Sequence, residues 1–372
     1  FTARQWGDEY NNGVETVEGY SILQLEDGWW AYAELREDGL LAPALGGEAP
    51  RLVGIDAPDG LKLHLRSQVM NENPHSPAAM DLAMPSLEST DAPTLTTLKT
   101  LVLLADFNNV TPTYTPASFQ SLMFSTTASS VRKYYREASF NNLDIVPAEE
   151  TCGTSNDGIT NWTELGYDHP NTGDSTGTAN YDIVKNVLTA NNGCINFASF
   201  DTNSNGYIET SELVIVVVVG GYERAYTPST PNIWAHQGWL NSATGGAPTL
   251  DGKTLGYYPY GNYAQFGERH GTHQATIGIM AHEYGHIIDW PDEYDIDQSS
   301  EGVGEWSIMG GGSWNGITYA GDSPALPDAF LKWYQGWITP TSVSGTLNNA
   351  AIPQASSNPT AFLLRPNPGG VD

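Results

Sequence analysis

With 372 residues, 40% of them hydrophobic and 11 of them Trp, the chain is long enough for two or three cored domains and is not of the disordered class. Lys plus Arg number 15 against 43 Asp plus Glu, a formal net charge of -28, so its field repels nucleic acid and anionic membranes and neither is an expected partner. The best apolar run, 213–219, is strand-sized and too short to span a bilayer.

The chain opens at Phe1 with neither an initiator Met nor a signal peptide, which reads as a processed or engineered fragment. Residues 1–66 are expected to form a small β-rich domain, because the apolar stretches 20–25 and 29–35 flank Asp27-Gly28, a hairpin signal. From 67 to 97 the composition turns to Ser, Pro, Ala, Met, Asn and Thr without periodicity, and this stretch reads as an exposed linker. The second domain, 98–372, opens with a buried-type strand at 99–107, then a helix at 128–138 around Val131, Tyr134 and Tyr135, then a strand at 142–147. A helix at 181–189 and a strand at 213–219 follow. Such alternation predicts an α+β, mixed α/β domain. Cys152 and Cys194 lack the spacing of a zinc ribbon; in a secreted chain they pair as a disulfide, and otherwise they are two buried thiols.

Residues 201–212, DTNSNGYIETSE, match a twelve-residue calcium loop. Asp201, Asn203 and Asn205 place oxygens at positions 1, 3 and 5, Gly206 allows the sharp turn, Tyr207 offers its carbonyl, and Glu212 can bind through both oxygens. Glu212 leads straight into a valine-rich strand, so the loop is expected to hold a static structural Ca2+ rather than to switch. The competing reading is a polar turn whose Asn residues tolerate left-handed backbone.

The densest set of metal-binding side chains lies at 276–295 and contains HExxH. His282 and His286 are four positions apart, so on a helix both imidazoles leave one face and can meet a single ion. Glu283 beside them is not a ligand in this pattern; it moves a proton. A catalytic zinc needs a third protein ligand, and Asp292 stands six residues after His286, at the offset where metzincin peptidases carry their third His. The helix must stop abruptly for Asp292 to return. Metzincins have Gly at that turn, this chain has Asp289, and Pro291 then bars continuation. Trp306-Ser307-Ile308-Met309-Gly310 supplies a Met-turn candidate, with a helix predicted beneath it at 324–337. HExxH occurs by chance in many proteins, but the apolar run 277–281, the acid at the third-ligand offset and Met309 agree on zinc. His236 reads as structural or cleft-lining, His270 and His273 as zinc alternatives only should Asp292 fail, and His64 and His75 as surface residues.

Three blocks, HEYGHIIDWPDEYD, GVGEWSIMGGGSWNG and PALPDAFLKWYQGWITP, resemble in this order the immune inhibitor A family of secreted bacterial metallopeptidases. The resemblance implies a metzincin-like fold and a secreted, extracellular zinc endopeptidase acting on proteins or peptides, with His282, His286 and Asp292 as ligands and Glu283 as general base. Asp289 departs from the small residue of most relatives, and Gly311 stands where astacin-like and serralysin-like enzymes have a transition-state Tyr. The opening FTARQWGDEYNNGVETVEGYSI, with DGWWAYAEL, is similar to the propeptide of such precursors, which implies a latent zymogen inhibited by residues 1–66 and cut within 67–97 by an activating protease. No Cys occurs in 1–66, so a cysteine switch is excluded there and Asp8 and Glu9 are the carboxylates expected to block zinc. Relatives continue into β-rich modules, so the domain is expected to be truncated at 372. The rival reading is a calcium-stabilised, non-catalytic peptidase-like binding module, against which an intact Glu283 argues.

Overall fold

A computed structural model of the chain describes residues 1–7, 12–25, 28–36, 39–47, 49–65, 95–173, 177–295, 300 and 302–364. Asp8, Glu9 and most of the expected linker lie outside the described residues. The N-terminal segment is an antiparallel sheet of Ala3–Gly7, Asn12–Thr16, Ser21–Gln24, Trp30–Leu35 and Leu41–Pro43, paired in chain order. Gly28, at φ 86°, makes the turn between the third and fourth strands, a left-handed position that Gly adopts without a Cβ clash. Ile22, Tyr32, Ala44 and Val53 form its small core.

Among the described residues the main sheet has eight strands, and its central path runs Ile159–Glu164, Thr96–Asp106, Val214–Glu223, Tyr263–His270, His236–Gly238. All neighbours on this path are parallel except the last pair, so His236–Gly238 is an antiparallel edge strand. Leu143–Pro147 pairs with the first half of Thr96–Asp106, in parallel. The valine-rich run is continuous because both faces of the sheet are covered. Val102, Leu104, Val214, Val216 and Val218 pack with residues of the helices Pro116–Phe124 (α1), Val131–Ala138 (α2) and Ile277–Ile287 (α4). Leu101, Leu103, Ile215, Val217 and Val219 face the helix Thr178–Asn191 (α3) on the other side. Neighbouring side chains on a strand thus serve opposite cores.

Caps set the helix starts. Ser130 accepts from Lys133 N at 3.0 Å, so α2 begins at Val131, three residues later than its apolar pattern suggests. The helix expected at 324–337 is confined to Ala329–Tyr334 (α5), because Asp328 caps it and Pro324 and Pro327 precede the cap. Cys152 and Cys194 form a disulfide that ties the segment after Leu143–Pro147 to the turn following α3.

Candidate metal centre

Every residue of α4 is buried, and side-chain and backbone hydrogen bonds tie it to Tyr135, Thr100 and Gly321. Tyr135 Oη donates to Ala281 O at 2.6 Å, Tyr284 Oη meets Thr100 Oγ1 at 2.9 Å, and Gly278 N donates to Gly321 O at 2.8 Å. Position 278 must be Gly, since a Cβ there would run into the carbonyl oxygen of Ser313. At the other end Asp289 N donates to His286 O and Trp290 N to Gly285 O, both at 3.0 Å, with Asp289 at φ 66°. This is a Schellman stop with Asp in the left-handed place usually given to Gly. Pro291 follows, and the chain doubles back.

Doubling back brings Asp292 to the two imidazoles. Its Oδ1 lies 3.3 Å from His282 Nε2 and 3.2 Å from His286 Nε2, and the three donor atoms all fall within 4.8 Å of one another. The other imidazole nitrogens face backbone carbonyls: His282 Nδ1 is 2.9 Å from Ile308 O and His286 Nδ1 is 2.8 Å from Trp290 O. A carbonyl only accepts, so each Nδ1 carries a proton and each Nε2 is left to face the shared point. Burial disfavours a charged His282, but Asp292 outweighs it and holds the imidazole pKa up at about 9; the histidines in turn hold Asp292 well below the usual carboxylate range. Two imidazoles and one carboxylate oxygen, buried and convergent, fit a divalent ion of zinc's preference.

Glu283 is 2% exposed, and among the described residues its Oε2 has no hydrogen-bond partner. Burial raises its pKa to about 7, against the lowering pull of the two histidines. Met309 is fully buried under α4: a Cβ on Gly285 would come within 2.6 Å of its Sδ, and its carbonyl accepts from Glu293 N at 2.8 Å. Tyr294, two residues past Asp292, holds its ring at 16° to that of His282, centroids 6.5 Å apart.

The remaining histidines stand elsewhere. His236 bridges Trp234 O (2.8 Å) and Tyr263 Oη (3.1 Å), a satisfied core residue. His270 stacks on Tyr226 at 4.5 Å, and His273 on Tyr319 at 4.0 Å; among the described residues neither joins the His282, His286 and Asp292 group. In the 201–212 loop, Glu212 Oε1 accepts from Thr202 N at 2.7 Å and Oε2 from Glu209 N at 3.1 Å, while Asp201 Oδ2 takes Gly206 N at 3.0 Å and the Lys253 ammonium at 2.6 Å. Asn203 Oδ1 and Asn205 Oδ1 accept from Asn205 N and Tyr207 N, at 2.9 and 2.8 Å.

Two buried carboxylates carry no motif and were not legible in the sequence. Glu223 accepts from Gly267 N, Ala225 N and Ala235 N at 2.8 to 3.0 Å, and burial pushes its pKa up to about 7. Glu268 accepts from Thr113 N and Tyr114 N, the latter at 2.7 Å. Glu223 leaves only the signal of a glutamate closing an apolar strand, and Glu268, inside Tyr263–His270, leaves none.

The family described as immune inhibitor A peptidase M6, catalytic domain, matches residues 91–339. Immune inhibitor A of Bacillus thuringiensis subsp. alesti is 31% identical over 148 residues, 37% of this chain and 21% of that protein. The pre-pro-metalloprotease PrtV of Vibrio cholerae serotype O1 (strain M66-2) is 27% identical over 253 residues, 60% of this chain and 26% of that protein. The chain thus spans about a quarter or less of the length of these curated relatives.

Proposed function

Because the chain belongs to the immune inhibitor A (peptidase M6) family, we propose that it is a zinc endopeptidase with a metzincin-like catalytic domain at 98–372. His282, His286 and Asp292 would hold the ion, with Met309 as the floor beneath it. The observation that carries this reading is the convergence of both Nε2 atoms on Asp292 Oδ1, 3.2 and 3.3 Å away, beside a buried Glu283. When bound, zinc supplies a Lewis acid that makes water nucleophilic at neutral pH and stabilises charge on the carbonyl oxygen. Glu283 accepts the water proton as the oxygen bonds to the peptide carbon. It returns that proton to the nitrogen as the carbon–nitrogen bond breaks. A buried carboxylate beside the site that would hold the ion is placed for both halves of the transfer.

We further propose that residues 1–66 are an inhibitory propeptide, that activating proteolysis falls within 67–97, and that Asp8 or Glu9 blocks the metal in the latent form. The Cys152–Cys194 disulfide supports an oxidising, extracellular setting, and no helix among the described residues is long and apolar enough to cross a membrane. Residues 201–212 would carry a structural calcium, from Asp201, Asn203, Asn205, Glu212 and the Tyr207 carbonyl.

Casein hydrolysis before and after a brief nick in 67–97, with a zinc chelator and Glu283→Ala as controls, tests the reading. Activity should appear on nicking and vanish on chelation, and Glu283→Ala should keep zinc while losing about 10²–10⁴ in rate. Activity before nicking removes the propeptide part. A Glu283→Ala protein that cuts at the unaltered rate sinks the mechanism, and silence with zinc bound favours the non-catalytic binding module.

A further inference from the structure

In a chain of net charge -28, a place where positive charge gathers stands against the field of the whole molecule. Such a place lies on the outer face of α2. Lys133, Arg136 and Glu137 share that face by their spacing and, with Thr126, Phe140 and Ser356, line a cavity of about 660 Å³. Tyr134 and Tyr135 occupy the buried face of the same helix. Lys332, only 3% exposed, brings a further ammonium close by, its Nζ 5.0 Å from the centroid of the Phe140 ring.

The two lining cations are barely engaged. Arg132 takes the nearby Asp144 at 2.7 and 2.8 Å, which leaves Arg136 with Asp144 at 4.0 Å and Asn141 Oδ1 at 3.5 Å. Lys133 Nζ donates to Thr127 O at 3.4 Å. All three contacts are longer than a good hydrogen bond, so among the described residues most N–H donors of both side chains are open. The chain then leaves α2 through Phe140 at φ 55° and Asn141 at φ 64°, consecutive left-handed residues; Asn tolerates that conformation and a bulky Phe resists it. This costly turn sets the Phe140 ring in the same wall as the cations, as backbone strain often does at ligand sites.

A carboxylate or phosphate group, with several acceptor oxygens, can satisfy an open guanidinium and an open ammonium together. The volume is that of a small-molecule site and not of a bare ion. A polyanion would meet the acidic remainder of the surface, whereas one charged group is held at contact range, inside a screening length of about 8–10 Å. We propose that this cavity binds a small organic anion, one phosphate or carboxylate group on an aromatic or apolar body, with Lys133 and Arg136 holding the oxygens and Phe140 packing on the body. None of the lining residues belongs to the candidate metal centre, and the proposal stands or falls independently of the peptidase reading.

The test is titration calorimetry of the intact chain with phenyl phosphate, benzoate and phenol. Phenyl phosphate, benzoate or both should bind saturably and phenol should not; whichever anion binds separates phosphate from carboxylate. Arg136→Gln and Lys133→Gln should each weaken binding about tenfold. Glu137→Gln, which removes a carboxylate from the wall, should tighten it several-fold, and added salt should weaken it. Melting temperatures show whether each variant is folded. The proposal is overturned if neither anion binds saturably, if phenol binds as well as the anions, or if Arg136→Gln and Lys133→Gln leave the affinity unaltered. Should those two variants fail to fold, Glu137→Gln decides: tighter binding supports the site and unchanged binding overturns it.

Discussion

At the scale of single residues, Asp289 shows how a local backbone choice reaches the candidate metal centre. Its left-handed φ of 66° stops α4, and only then can Trp290 offer the carbonyl to His286 and Asp292 swing back. An L-residue pays roughly 1–2 kcal/mol for that conformation, whereas Gly adopts it freely but loses about 0.5–1 kcal/mol of chain entropy. Asp289→Gly should therefore leave the urea midpoint nearly unchanged, while Asp289→Val, branched at Cβ, should lower stability by at least about 1 kcal/mol and weaken zinc binding. A Val variant as stable and as zinc-avid as the unaltered chain would show that the stop is not needed. The spacing of His282, Glu283, His286 and Asp292 was legible because helical periodicity and a proline stop leave little freedom over ten residues. Glu223 and Glu268 were not, since their partners are backbone N–H groups from 225, 235, 267, 113 and 114, which no side-chain pattern encodes.

At the scale of elements, apolar runs marked the strands at 96–106 and 214–223 because both faces are buried, and they understated α3, whose ends at Thr178 and Asn191 are polar. The strand Tyr263–His270 escaped notice, for its sequence YAQFGERH mixes polar and apolar residues although nearly all of them are buried. What buries Gln265, Glu268 and His270 is tertiary packing, not periodicity. The 201–212 loop is legible as a motif, yet the chain's own atoms already use its oxygens, Lys253 above all, 2.6 Å from Asp201 Oδ2. A calcium ion must displace that ammonium. Lys253→Ala should accordingly raise calcium affinity about tenfold, the equivalent of roughly 1.4 kcal/mol, read as the calcium-dependent rise in melting temperature. No thermal response to calcium in either protein would leave the loop a polar turn.

At the scale of the whole molecule, buried titratable groups set the pH response. Burial lowers His169 and His236 to about 4 and His270 to about 3, from 6.5. A depressed imidazole adds stability above its unfolded pKa and loses it as pH falls below that value. Glu223, raised from 4.5 to about 7, acts oppositely: its contribution is complete below 4.5 and is lost as pH rises through 7. Between 4.5 and 6.5 folded Glu223, Glu283 and Glu293, raised to about 7, 7 and 9, retain protons that the unfolded chain releases, while the unfolded chain takes up three imidazole protons. Glu150 and Glu268, also raised by burial, offset part of this at the acid end. Urea unfolding of His236→Gln should show a smaller loss, or a larger gain, of stability from pH 6.5 to pH 5 than the unaltered chain shows; the same change in both proteins would contradict the burial-lowered imidazole of His236. The two imidazoles of the candidate metal centre are governed by a different constancy. Both lean on main-chain oxygens, of Ile308 and Trp290, and every amino acid carries that atom. Replacements at 290 and 308 can therefore drift through a lineage without erasing the tautomer, provided the loop keeps its path, so descent conserves this support as a backbone shape and not as a pair of letters.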